Sequence, residues 1–251
     1  MHYIKKEIYD NGYSSQLSLE SEELNSLREF VEIHWLKVIS EFNPTMLESA
    51  EKYGIQNYHL ISSNFNHSKT WTKTNRLFNT ECIQKIKCMK TFSVLENIFG
   101  KFKISDVYET EQRFGVEEMY WRLVRPNQPE DVGPLHADYW FHQTFNGGEG
   151  MFKNTEETFK VWIPIFSEPG KNGLGIVKGS NSANFPYEIK VINHVPKPVP
   201  TFDEKLAKVE LIPTLPGNIL IFHERTLHKG FTNLGQKTRV SMEVTLVTEK
   251  N

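Results

Sequence analysis

From about residue 115 onward the chain breaks into short extended segments separated by glycine and proline, and this restricts the fold more than any other feature. Residues 117–125 alternate, with Met119, Trp121 and Leu123 on one side and Tyr120, Arg122 and Val124 on the other, which predicts a strand. Residues 159–166, rich in Val, Ile and Trp, predict a second; 174–177, 187–192, 218–222 and 240–247 predict the rest. Gly133-Pro134, Gly147-Gly148, Pro169-Gly170 and Pro216-Gly217 punctuate them. No helix-length spacers alternate with the strands, so a parallel α/β sheet is not expected, and many short strands between turns point to a β-sandwich or barrel.

Residues 1–115 read mainly as helix. Ser21 is placed to cap a helix whose first turn carries Glu22 and Glu23, where negative charge suits the helix dipole. Leu24, Leu27, Val31, Trp35 and Val38 recur at three- and four-residue steps and form one apolar face. Asn43-Pro44 ends that helix; a second runs to about Tyr53, and a third covers about 82–99 before Gly100. His34 and His67 read as packing or surface residues. At 251 residues the chain suits a single domain, 1–251, with a helical part to 115 and a β core over 116–251.

A net charge of -2, from 29 basic and 31 acidic residues without long like-charge runs, argues against a nucleic-acid binder. No apolar run approaches the roughly 20 residues of a membrane span. Cys82 and Cys88 are too few and wrongly spaced for a disulfide scaffold or a CxxC pair, and no apolar leader opens the sequence. These features lead us to expect a cytoplasmic protein acting on a small molecule, with no membrane or nucleic-acid partner.

Three motifs carry chemistry. In GPLHADYWF, His136 and Asp138 stand two apart, which on a strand aims both side chains to one face. In PGNILIFHERTLHKGFTN a buried strand delivers a histidine, either His223 or His228. HERTLH is not the zinc-protease HExxH: five residues apart on a helix diverge by about 140°, too far to share one metal. In KTRVSMEVTLV, Arg239 opens a strand with Ser241 on the same face, a fork and a hydroxyl suited to a carboxylate. Two histidines and one carboxylate make the facial triad of non-haem iron(II) oxygenases, and the arginine can hold an acidic cosubstrate.

These residues resemble the phytanoyl-CoA dioxygenase-like family. His136-Ala-Asp138, then PGNILIFHERTLH ending at His228, then Arg239 eleven residues on and Ser241, carry the resemblance across about 115–247. It implies a double-stranded β-helix (jelly roll), Fe(2+) on His136, Asp138 and His228 rather than His223, O2 as oxidant, and 2-oxoglutarate on Arg239 and Ser241. Asp138 favours hydroxylation, since relatives that halogenate lack this carboxylate. NGLGIVKGSN also fits the family's loop, with Lys178 and Asn181 where proline and histidine are commoner. Arg122 and Arg125 are further candidates for the cosubstrate's second carboxylate or an anionic substrate; Trp140, Phe141 and His142 are expected to line the substrate mouth. Residues 143–156 are expected to be a loop that closes on substrate. The expected substrate is a small polar metabolite, with sugar- and nucleotide-linked molecules as candidates. A non-redox metal-binding barrel of cupin type is the alternative, and it does not account for Arg239 at its distance from His228.

Overall fold

The computed structural model describes residues 2–106, 115–145, 152–153, 155–192 and 195–250. Helix α1 (Tyr3–Asn11) turns directly into strand β1 (Tyr13–Ser18). The turn needs Gly12: its φ is +89°, and an added Cβ would come within 3.0 Å of the Thr226 hydroxyl. Helix α2 (Ser21–Phe42) buries Leu27, Val31, Trp35, Val38 and Ile39, the expected face. Its cap is not Ser21. The Glu20 carboxylate accepts from the N3 amide while Glu23 accepts from the Glu20 amide at 3.1 Å, so the capping pair sits one residue earlier and Ser21 is already helical.

Three helices follow: α3 (Leu47–Tyr53), the short α4 (His67–Thr70) and α5 (Thr80–Lys87). The helix expected over 82–99 is in fact two. Met89 is extended (φ -66°, ψ 146°), which ends α5 and starts α6 (Lys90–Phe99).

The strands are β2 (Lys103–Ser105), β3 (Met119–Val124), β4 (Glu156–Phe166), β5 (Leu174–Ile176), β6 (Tyr187–Ile192), β7 (Val195–Pro200), β8 (Glu210–Leu211), β9 (Asn218–His223), β10 (His228–Gly230) and β11 (Arg239–Glu249). Helix α7 (Asp138–Phe145) lies between β3 and β4. A six-stranded antiparallel sheet runs β1-β9-β4-β11-β2, with β3 also paired to β11. A smaller sheet, β10-β5-β8, faces it, and β6-β7 form a separate hairpin. The two facing sheets form the expected double-stranded β-helix. Strand β1 comes from the part read as helical; its edge pairing with β9 puts the start of the chain into the main sheet.

Strand periodicity divides the main sheet into two faces. Val240, Met242, Val244 and Leu246 of β11 and Phe159, Val161, Ile163 and Ile165 of β4 pack with the helices in the large core. Successive side chains point to opposite faces, so Arg239, Ser241, Glu243 and Thr245, with Lys160 and Trp162, look the other way. There Trp162, Leu220 and Phe222 meet Leu174 and Ile176 of the small sheet. Trp162, Leu174 and Phe222 of this apolar contact also line a cavity that is otherwise largely polar.

Candidate active site

His136, Asp138 and His228 converge at the cavity, each offering an atom within 4.8 Å of the others. Asp138 Oδ1 lies 3.7 Å from Nε2 of both His136 and His228. Their convergence does not arise as the sequence suggested. Asp138 is not on a strand but is the first residue of α7. His136 instead forms an isolated bridge with His228: the His136 amide donates to the His228 carbonyl at 3.0 Å, and the reverse bond is 2.8 Å. One turn of chain then swings Asp138 in beneath them.

Both imidazoles are oriented by the backbone. His136 Nδ1 donates to the Pro134 carbonyl at 2.8 Å and His228 Nδ1 to that of Thr226 at 2.9 Å. This fixes the tautomer that leaves each Nε2 lone pair free for a cation. Burial, and then the neighbouring His228, push His136 down to about 3; burial also lowers His228. Neutral rings are what a metal requires. Burial opposes the charge on Asp138, but Lys160 above all, then both histidines, hold it down to about 2. Lys160 Nζ sits 3.6 Å from Asp138 Oδ2 and donates to the Thr245 hydroxyl at 2.7 Å. One carboxylate oxygen thus faces the imidazoles while the other faces a lysine that is only 4% exposed.

Arg239 is buried beside this cluster, over the Trp162 ring at 5.7 Å. Its Nη1 donates to the Gly173 carbonyl at 2.8 Å, while its Nε has no partner. Burial lowers it to about 10, against an opposing pull from Glu243, so it stays charged at neutral pH. The Ser241 hydroxyl, fully buried, is also without a partner. Buried donors are normally satisfied. Two orphans on one strand face, next to three convergent ligand atoms, fit a bound carboxylate and a metal.

Other sequence candidates separate. Arg122 lines the cavity, paired through Nε to Glu243 Oε1 at 2.6 Å, with Tyr120 donating to Glu243 Oε2 at 2.8 Å. Arg125 is turned away and bound to Asp131 at 2.7 and 2.9 Å. Because residues 138–145 are helical, Trp140, Phe141 and His142 fan out by about 100° per residue and do not share a wall. Phe141 lines the cavity, its ring 5.5 Å from that of His136. Trp140 instead stacks on Tyr187 at 5.0 Å, and His142 pairs with Glu224 at 3.3 Å. His223 lies outside the triad, 3.6 Å from Glu157. In the 172–181 loop, Lys178 is exposed and Asn181 donates to the Tyr9 carbonyl at 2.8 Å, tying the loop to α1. Of the expected closing loop, residues 143–145 belong to α7 and Glu156 opens β4; most of the remainder lies outside the described residues. Lys160, Glu243, Tyr120 and Lys197 line the cavity and were not singled out from sequence.

A double-stranded β-helix holding two histidines, an aspartate and a buried arginine defines a class, the non-haem iron oxygenases that use 2-oxoglutarate. The chain belongs to the phytanoyl-CoA dioxygenase (PhyH) family, whose pattern matches residues 41–241. It is accordingly an oxygenase dependent on iron(II), 2-oxoglutarate and O2. Membership sets aside the non-redox cupin alternative. No curated protein sequence matches the chain. Among solved structures, EvdO2 from Micromonospora carbonacea var. aurantiaca complexed with 2-oxoglutarate is similar at TM-score 0.61 and 10% identity, over 99% of this chain and 91% of that one. The carbocyclase SnoK from nogalamycin biosynthesis gives 0.57 and 12%, over 100% and 86%. EctD from S. alaskensis with 2-oxoglutarate and 5-hydroxyectoine gives 0.59 and 10%, over 99% and 76%. At such identities these likenesses carry the fold alone. Among the described residues, no helix is long and apolar enough to cross a membrane.

Proposed function

We propose that the protein hydroxylates a small polar metabolite, with His136, Asp138 and His228 holding iron(II) and Arg239 with Ser241 receiving the far carboxylate of 2-oxoglutarate. The observation that carries this reading is the pair of orphaned donors, Arg239 Nε and the Ser241 hydroxyl, beside three convergent ligand atoms. Bound there, iron(II) and 2-oxoglutarate would let O2 act as the oxidant: one oxygen atom would go into succinate as carbon dioxide is lost, and the other would enter a substrate C–H bond as a hydroxyl. The protein's own part is geometric and electrostatic. Backbone carbonyls hold both imidazoles, Lys160 holds Asp138, and Phe141, Trp162 and Phe222 keep the reacting volume apolar. Glu243, Tyr120 and Arg122 form a fixed polar patch beside Trp162 on the same sheet face, which suits a substrate with hydroxyl groups, such as a sugar or a nucleotide-linked sugar.

We place residues 1–251 in one domain, because β1 completes the main sheet that carries the site. Cys82 and Cys88, both free, suit the reducing cytoplasm. The test is anaerobic reconstitution with iron(II) and 2-oxoglutarate, then admission of oxygen with a panel of sugars, nucleotide sugars, amino acids and acyl esters. Iron-dependent succinate release stimulated by a panel member is expected. Absence of iron-dependent succinate under all conditions would refute the reading.

A further inference from the structure

Most charged side chains around the cavity are paired, Asp106 and Glu118 sharing Lys73. Asp138 is matched by Lys160 at 3.6 Å, Glu243 by Arg122 at 2.6 Å, Asp131 by Arg125 at 2.7 Å, and Asp106 by Lys73. Two further cations line the same cavity, Arg239 and Lys197. Arg239 is accounted for by the cosubstrate in the reading above. The Lys197 side chain has neither an ion pair nor a hydrogen bond to any described residue, although the residue is half-buried.

The position of Lys197 is built rather than incidental. It sits on β7 of the β6-β7 hairpin, which belongs to neither sheet. Pro196 and Pro198 flank it and Pro200 follows. Proline fixes φ and donates no hydrogen bond, so it is tolerated on an outer strand and stiffens it. Helix α7 packs against β7, so the lysine stem is carried by a rigid segment braced on the metal-bearing helix. Pro198 joins Lys197 in the cavity wall. Burial first, and then the positive charge of Arg122, lower the pKa of Lys197.

A stiffly held, partly desolvated lysine facing a cation across a cavity is stabilised by an anion placed between them. Glu243 already neutralises Arg122, and the cosubstrate's two carboxylates are assigned to the metal and to Arg239, so the reading above leaves the other reactant as the source of that anion. We propose that Lys197 is a specificity-determining residue and that the molecule oxidised carries an anionic group, a carboxylate or a phosphoryl group, which docks on its ammonium. This rests on the functional reading above and narrows its substrate class to polar acids and phosphate esters.

The test uses the full chain loaded with Mn(II) and 2-oxoglutarate without oxygen, so that Arg239 is occupied and no turnover occurs. Sulfate, standing for a phosphoryl group, and acetate, standing for a carboxylate, are titrated separately by calorimetry. Saturable binding of at least one is expected, and which one binds distinguishes the two sources. Lys197→Ala should weaken it about 30-fold, the size of one charge-assisted hydrogen bond. Lys197→Glu should abolish it and Lys197→Arg restore it, with Mn(II) and 2-oxoglutarate affinities unchanged throughout. The proposal is overturned if neither ion binds the parent saturably, if Lys197→Ala binds as tightly as the parent, or if the substrate found by succinate release is uncharged. A parent protein that takes up neither Mn(II) nor 2-oxoglutarate would instead refute the functional reading, and this proposal with it.

Discussion

Replacing Lys160 by Met keeps the apolar stem of the side chain and removes its ammonium group. In the folded protein Asp138 would then remain buried without its main cationic partner, and the Thr245 hydroxyl would lose its donor. Breaking a buried pair by deleting one partner costs about 3–5 kcal/mol, because the remaining charge is uncompensated. Part of that cost is relieved if the carboxyl takes up a proton, so about 3 kcal/mol is the working figure. For a chain of this size it corresponds to a fall in Tm of about 6–12 °C. A divalent cation on the triad would supply the missing positive charge, so metal should stabilise Lys160→Met more than it stabilises the parent. Scanning calorimetry of both proteins, metal-free and with Mn(II), measures the four midpoints. The reasoning fails if metal-free Lys160→Met melts with the parent, or if Mn(II) raises both midpoints equally.

Single Ala replacements of His136, Asp138 and His228 should each abolish stoichiometric metal uptake measured by equilibrium dialysis, while His223→Ala retains it, since His223 faces Glu157. Arg239→Ala should weaken 2-oxoglutarate binding to the Mn(II) form about 100-fold or more in calorimetric titration, and Arg239→Lys less, because a point charge replaces the fork. His67 provides a pH signature: burial lowers it from 6.5 to about 4, against the pull of Asp131. A base held neutral in the fold contributes stability that is complete above pH 6.5 and lost as pH falls toward 4, here roughly 3 kcal/mol. Urea unfolding across that range should show the decline in the parent and a flatter profile in His67→Gln. Gly175→Ala places a Cβ 2.0 Å from the Phe231 ring on the strand that pairs with Lys229. It should destabilise the fold by about 1–3 kcal/mol and reduce metal affinity by moving His228, both measurable on one preparation.

His136 and Asp138 were legible because they stand two apart and are of rare type, and His228 through the family resemblance, yet the local structure behind their convergence was not. HxD reads as a strand pair, but Asp138 begins a helix, and that single difference sends Trp140 and His142 away from the cavity. Val, Ile and Trp content identified most of β4, and the expected strand over 240–247 falls within β11. Strand alternation, carried two residues past Ser241, would also have put Glu243 on the Arg239 face, and the same count on β4 puts Lys160 beside Trp162. Strand β7 was hidden by its three prolines, which ordinarily argue against a strand, and its Lys197 was hidden with it. Strand β1 carries weak alternation and gains its structure from pairing with β9, a contact some 200 residues away in sequence.

The reciprocal amide bonds between His136 and His228 have a consequence for metal selection. The spacing of the two rings is set by main chain, so it exists before any ion arrives and does not depend on which ion does. A site of this kind offers little geometric discrimination among divalent ions of similar size, and by the usual order of affinities cobalt, nickel and copper would outcompete iron(II) on nitrogen ligands. If the triad holds the metal as proposed, occupancy by iron would depend on the cell's metal supply as well as on the polypeptide.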